Sequence, residues 1–296
     1  MPKSRVIVPG SGRAGFQLSR RSIVAAGAIL ITAGSAATSQ ALAFARPKPP
    51  RFHGRGDGRE HPGYSQEGYG HESSGPSDCV GCNCFLLGTR LLTSAGELPI
   101  EHLKIGDRVV TLDGETRNIR WIARVALDRP HGAPWSAGVQ PVRVSKDALA
   151  SGRPSRDLYL SPWHMLYLNG VLLPVSNLIN GRTIAAVSPP TDRLEYFHVE
   201  LDQHDVLLAD GAPCESLLAS AESRRQFDNY DEYVARYGDV AAPPMAPCAP
   251  MAFFNGGRSQ LRSRLRSALA PVFDIRRPLD IARDDLEARA LRSRAA

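Results

Sequence analysis

Between residues 84 and 218 the chain alternates short apolar runs with turn formers, a rhythm that points to a β-sheet fold. The runs TRLLT (89–93), RVVTL (108–112), NIRWIARVAL (118–127), PVRV (141–144), LYLS (158–161), MLYL (165–168), VLLP (171–174), TIAAV (183–187), EYFHVEL (195–201) and VLLA (206–209) are all of strand length. They are rich in β-branched and aromatic residues, which fit a pleated, half-buried surface. Between them sit Ala95-Gly96, Asp113-Gly114, Asn169-Gly170 and Asp210-Gly211. Asn-Gly between two apolar runs suits a tight hairpin, because the favoured turn needs positive φ at both central positions. One short helix is expected over PIEHLKIG (99–106), opened by Pro99 and closed by Gly106. The expected fold class is all-β: a compact module over residues 84–218 with a short helical extension after it.

The flanks have a different texture. Residues 1–45 carry five Lys/Arg and no acid, and Arg20-Arg21 precede the uncharged run SIVAAGAILITAGSAATSQALAFA (22–45). Small residues at Ala41 and Ala43, or at Ala43 and Ala45, provide cleavage options. The pattern reads as a twin-arginine-type signal, so the expected location is the periplasm or the cell exterior. Its Gly, Thr, Ser and Gln content makes it a poor bilayer span, and no stable membrane insertion is expected after its removal. Residues 46–78 contain no aliphatic side chain. Such a segment buries too little to offset its ordering entropy, so 46–83 is expected to be a disordered linker.

At the other end, 219–296 forms a C-terminal extension. A short helix and loop are expected over 222–238. In SQLRSRLRSALA (259–270), Leu261, Leu265 and Ala268/Leu269 recur at helical spacing with arginines opposite. That reads as a solvated amphipathic helix docked on the domain. Residues 251–296 hold ten Arg against five acids, whereas residues 46–250 hold 21 basic and 25 acidic residues. The formal charge of +6 therefore belongs to the ends, and no nucleic-acid surface is expected in the centre.

Three of the five cysteines, Cys79, Cys82 and Cys84, crowd into CVGCNC (79–84). A structural zinc site needs a fourth ligand and usually a second paired motif; only Cys214, Cys248 and the isolated His164 remain, so neither a metal nor another cofactor is expected. An exported protein can instead form disulfides. Cys79–Cys84 is the better geometric pairing, because Cys82–Cys84 would close a very small ring. Neither reading explains the residues after Cys84.

Three segments do so together: CFLLGTRLLTSAGELPIEHLKIGDRVVTLDG (84–114), LYLSPWHMLYLNG (158–170) and YFHVELDQHDVLLADG (196–211). In order, they resemble the motifs of Hint (Hedgehog/intein) domains, closest to the bacterial Hint subfamily of exported and surface proteins. The resemblance implies a horseshoe-like all-β module that cleaves its own chain by an N–S acyl shift. Cys84 would attack the Asn83 carbonyl and convert the amide to a thioester. His164 would protonate the leaving amine as general acid. Ser161, where the family has Thr, would stabilise the oxyanion. Asp128 in VALDR resembles the L-D-R of Hedgehog autoprocessing domains. His198 falls near an intein's assisting Asp and could serve as base.

The resemblance thins at the last step. The closing His-Asn of an intein falls on Glu215 and Ser216, so no Asn is available there to cyclise and no splicing is expected. The implied partners are the chain's own N-terminal segment as substrate and an external nucleophile. Cys214 could accept the acyl group or pair with another cysteine, though a small buried thiol is its default. The alternative reading is a Hint fold kept as a structural or interaction module, since cleavage would release only linker.

Overall fold

The computed structural model describes residues 83–238, 245–254 and 256–292. The expected signal, the linker up to residue 82, Cys79 and Cys82 lie outside these residues. Fourteen strands are present among the described residues: β1 (Phe85–Leu86), β2 (Arg90–Thr93), β3 (Gly96–Pro99), β4 (Arg108–Val110), β5 (Thr116–Asn118), β6 (Trp121–Asp128), β7 (Val142–Val144), β8 (Leu158–Leu160), β9 (Met165–Leu168), β10 (Val171–Pro174), β11 (Ile184–Ala186), β12 (Arg193–Glu200), β13 (Val206–Ala209) and β14 (Ala212–Glu215). They form two antiparallel sheets, ordered β11-β7-β8-β1-β12-β6 and β10-β9-β14-β13-β2-β4-β5, with β3 paired to β2. The fold is all-β, as the run pattern predicts.

Two hairpins carry the site into place. Asn169 (φ 51°) and Gly170 (φ 84°) turn β9 into β10, with Leu168 opposite Val171. Asp210 (φ 46°) and Gly211 (φ 79°) turn β13 into β14, with Ala209 opposite Ala212. Positive φ at both central positions is the conformation these residue pairs tolerate. The second hairpin sends Cys214 and Glu215 inward on a fully buried strand. PIEHLKIG gives only a 3-10 turn at Ile100–His102. Leu103 leaves it extended and buried in the main core, which stops a longer helix from forming.

Apolar side chains bury into two clusters. The main one gathers Phe85, Leu91, Leu160, Leu166, Val199 and Leu207 from strands of both sheets. The second gathers Cys84, Trp121, Val125 and Tyr196 under Phe227 and Tyr233, which α1 (Ala221–Arg224) and α2 (Tyr230–Tyr237) help bring over β6 and β12. Beneath these helices, buried Arg224 gives Glu200 two hydrogen bonds, at 2.8 and 3.0 Å, and lies 4.6 Å over the Tyr233 ring.

The C-terminal extension departs from the expected arrangement. Helix α3 (Gly257–Leu269) forms, but Leu261, Leu265 and Leu269 are 60, 55 and 50% exposed and do not dock. Its polar edge attaches instead to α4 (Pro278–Arg292), a helix the sequence reading did not anticipate. The reason is the buried Asp280 carboxylate. It takes Arg266 at 2.6 and 2.9 Å, the Arg277 N–H at 2.8 Å and the Ser263 hydroxyl. Helix α4 supplies the apolar attachment through Leu279, Ala282 and Leu286, which join the main core.

Replacing Arg224 with Ala leaves the Glu200 charge buried and unpaired, and should destabilise the domain by roughly 3–5 kcal/mol. Removing both charges together, in Glu200→Leu/Arg224→Met, should cost much less. Urea melts of the two variants check this.

Candidate functional site

The peptide unit joining Asn83 to Cys84 is held from several sides. Ser161, just past the end of β8, donates its N–H to the Cys84 carbonyl at 2.9 Å. Its hydroxyl oxygen accepts the Cys84 N–H at 2.7 Å. Pro162 follows at once and cannot extend the ladder, so the chain turns. The His164 N–H closes that turn onto the Ser161 carbonyl at 3.1 Å, and Val175 N–H anchors the His164 carbonyl at 2.9 Å. The turn leaves Trp163 exposed and His164 fully buried. The His164 ring lies 4.2 Å from the Phe85 ring and 5.1 Å from that of His198 on β12, centroid to centroid.

Glu215, at the end of β14, completes the group. Its Oε1 accepts the Asn83 side-chain amide and the Met165 N–H, both at 3.0 Å. Its Oε2 faces His204 Nε2 at 3.5 Å. His204 Nδ1 accepts the Cys248 N–H at 3.0 Å, which leaves the ring proton on Nε2 toward Glu215.

Burial dominates the electrostatics. It raises the Cys84 pKa far above the usual cysteine range, and the Glu215 charge raises it further. It lowers His164 to about 3, partly opposed by the Asn83 carbonyl beside the ring. No ring nitrogen of His164 closes a well-shaped hydrogen bond, so that carbonyl contact is proximity rather than a formed bond. Burial also lowers His198 well below its ordinary value, with His164 and His204 adding to the effect. For His204, burial disfavours the charged ring while Cys248 and the Glu215 carboxylate favour it. The Cys248 N–H aimed at Nδ1 requires a lone pair there, and this main-chain donor, which cannot be removed, favours the neutral ring at rest. At neutral pH the site thus holds a thiol and two uncharged imidazoles.

Among the described residues, His164 Nδ1 and Nε2, His198 Nε2, His204 Nε2 and Glu215 Oε2 are buried without a hydrogen-bond partner. Buried polar atoms are normally paired, and this cluster of exceptions makes the surroundings of Cys84 the candidate site. His164, His198 and Glu215 also bring three donor atoms within 4.8 Å of one another, close enough to hold a cation.

Of the residues singled out in the sequence, Cys84, Ser161, His164 and His198 come together. Asp128 does not. It is exposed at the far end of β6, where Arg193 Nη1 bonds both of its carboxylate oxygens at 3.0 Å. Asp128 pairs with Arg193 while Phe85 pairs with Phe197, so about 13 Å of strand separates Asp128 from the start of β1. The Ser161 hydroxyl oxygen meets the Cys84 amide nitrogen in this state. Cys84 is a free, fully buried thiol; its expected partner Cys79 lies outside the described residues. Cys214 and Cys248 are also free. In the sequence Glu215 stands out only as a departure from the intein ending, and His204 only as part of the last motif. The available signal was an acid within the apolar run APCESLL (212–218).

Because unfolded histidines titrate near 6.5 and His164 does so near 3 in the fold, its burial contributes stability that is fully present above pH 6.5. That stability should be lost progressively as pH falls from 6.5 toward 3, with His198 acting in the same direction. Urea melts across that range check this, and His164→Gln should flatten the dependence.

Residues 83–221 match the family model of the Hint domain. Solved structures similar to this chain include the crystal structure of the gp41-1 intein, at 12% identity and TM-score 0.33, covering 45% of this chain and 98% of that one. The solution structure of a bacterial intein-like domain from Clostridium thermocellum is similar at 14% identity and TM-score 0.33, covering 46% and 99%. A DnaB intein from Synechocystis is similar at 9% identity and TM-score 0.31, covering 46% and 99%. No curated protein matches the chain. The family match spans every described strand and the site between them.

Proposed function

We propose that the domain cleaves its own Asn83–Cys84 bond in a single turnover. The Cys84 sulfur attacks the Asn83 carbonyl, the carbon–nitrogen bond breaks, and the upstream segment is left as a thioester on the sulfur. The observation that carries this reading is the grip on that one peptide unit. Ser161 Oγ holds its nitrogen, the His164 ring stands by its carbonyl, and Glu215 fixes the Asn83 side chain. Restricting the reacting groups in this way removes much of the entropy of reaching the transition state. Ser161 and His164 are then the groups that meet the departing amine, and His164 hands it the proton that the thiol gives up through His198. His198, uncharged and next to His164, fits a base that receives the thiol proton. Splicing is not part of the proposal, because Glu215 and Ser216 stand where an intein ends in His-Asn. We assign the protein to the periplasm or cell exterior on its twin-arginine-type start, with its own N-terminal segment as substrate.

Mass spectrometry of the purified protein, with and without added thiol, tests the reaction. Wild type should divide between residues 83 and 84, faster with thiol, while Cys84→Ala stays whole. If both remain equally whole, autoprocessing is wrong. Since the resting sulfur is a thiol with a strongly raised pKa, cleavage should also quicken with rising pH and show no plateau near the ordinary cysteine value of about 8.5. A time course at several pH values checks this.

A further inference from the structure

The geometry points to a built-in resolving nucleophile: the side-chain amide of Asn83 itself, held by Glu215, which closes on the Asn83 carbonyl and releases the upstream segment as a C-terminal aminosuccinimide. This rests on the thioester proposed above and replaces the external nucleophile with one already in the site.

Three observations carry it. First, Asn83 is the residue whose carbonyl is activated, and its carboxamide is one side chain away from that carbonyl. Ring closure through Cα, Cβ and Cγ gives a stable five-membered imide, and an intramolecular attack has the advantage of enforced proximity. Second, the carboxamide is held with its nitrogen toward a base. Glu215 Oε1 lies 3.0 Å from Asn83 Nδ2 and is itself fixed by the Met165 N–H. An ionised carboxylate only accepts hydrogen bonds, so the amide must present its NH2 and not its oxygen. Third, the surroundings are closed. Cys84 and His164 are fully buried and Glu215 nearly so, while Asn83 is partly buried. An outside nucleophile would have to enter this enclosure, whereas the Asn83 amide is already at its edge.

The step balances without any further reagent. In the thioester, the Asn83 carbonyl carbon is bonded to Cys84 Sγ, and Cys84 carries a free α-amine. Nδ2 attacks that carbon, the nitrogen–carbon bond forms, and the carbon–sulfur bond breaks with its electron pair on sulfur. One Nδ2 proton departs along the hydrogen bond to Glu215. The sulfur takes up a proton and returns to the thiol that burial favours. Nothing is oxidised or reduced. The domain is left beginning at Cys84 with a free amine and a free thiol.

The test compares the full wild-type chain with Asn83→Ala, incubated without thiol, and reads the released upstream segment by tandem mass spectrometry. The wild-type segment should be one water lighter than the free acid. Mild base should convert it into a mixture ending in asparagine and isoasparagine. Asn83→Ala should release its segment at least about tenfold more slowly, a barrier rise on the order of 1.4 kcal/mol. With thiol added it should still divide at residues 83 and 84, more slowly than wild type because the Glu215 anchor is lost, and that division shows that its site is folded and forms the thioester. Spontaneous release from Asn83→Ala at the wild-type rate overturns the inference but leaves the proposed thioester standing. So does a wild-type segment that ends only in unmodified asparagine acid. If neither protein divides at residues 83 and 84, with or without thiol, the thioester itself is wrong and the inference falls with it.

Discussion

The rest of the site depends on the paired hydrogen bonds between Cys84 and Ser161. One bond, from the Ser161 N–H to the Cys84 carbonyl, is an ordinary link between an incoming strand and β8. The other, from the Cys84 N–H to the Ser161 hydroxyl, leaves the strand pattern and puts a side chain on the nitrogen that the proposed reaction would release. Leaving a buried N–H unpaired costs about 1–3 kcal/mol, so this contact is structural before it is chemical. It also sets the geometry of the next three residues, because the turn that begins at Ser161 carries His164 into the core.

Around that clasp the charges are arranged to wait. Burial keeps Cys84 protonated and keeps His164 and His198 neutral. Charge lies to one side, on Glu215, which faces His204 and reaches Asn83. A thiolate in such an enclosure would be reactive but costly; a thiol is stable and slow. Several buried polar atoms go without partners in this state, and that deficit is what a transition state carrying new hydrogens and new charge can relieve. The arrangement fits a reaction that runs once and needs no turnover rate.

Much of this was legible in the residues. Strand-length runs and Asn-Gly or Asp-Gly turns predict the sheets, because period-two burial and positive φ are local demands. SPWH announces a turn that ends in a buried histidine. What was not legible depends on register and distance. Asp128 sits in a suggestive triplet, yet pairing with Arg193 carries it to the exposed end of β6. Glu215 carries no motif of its own, and only the β13–β14 hairpin brings it from the last strand to the Asn83 side chain. The exposed stripe of α3 misled for the same reason: a helical period reveals an apolar face but not whether a buried Asp280 will tie down the opposite edge.

The central claim is that the Asn83 carbonyl leaves its amide bond to Cys84 without help from outside the domain. The most direct measurement is the carbon-13 resonance of that one carbonyl, labelled selectively and followed as the pH is raised. The account predicts that in wild type the signal moves from the amide position to that of a thioester or an imide, and that in Cys84→Ala it does not move. A wild-type carbonyl that remains an amide at every pH, in a domain that is still folded, would contradict it.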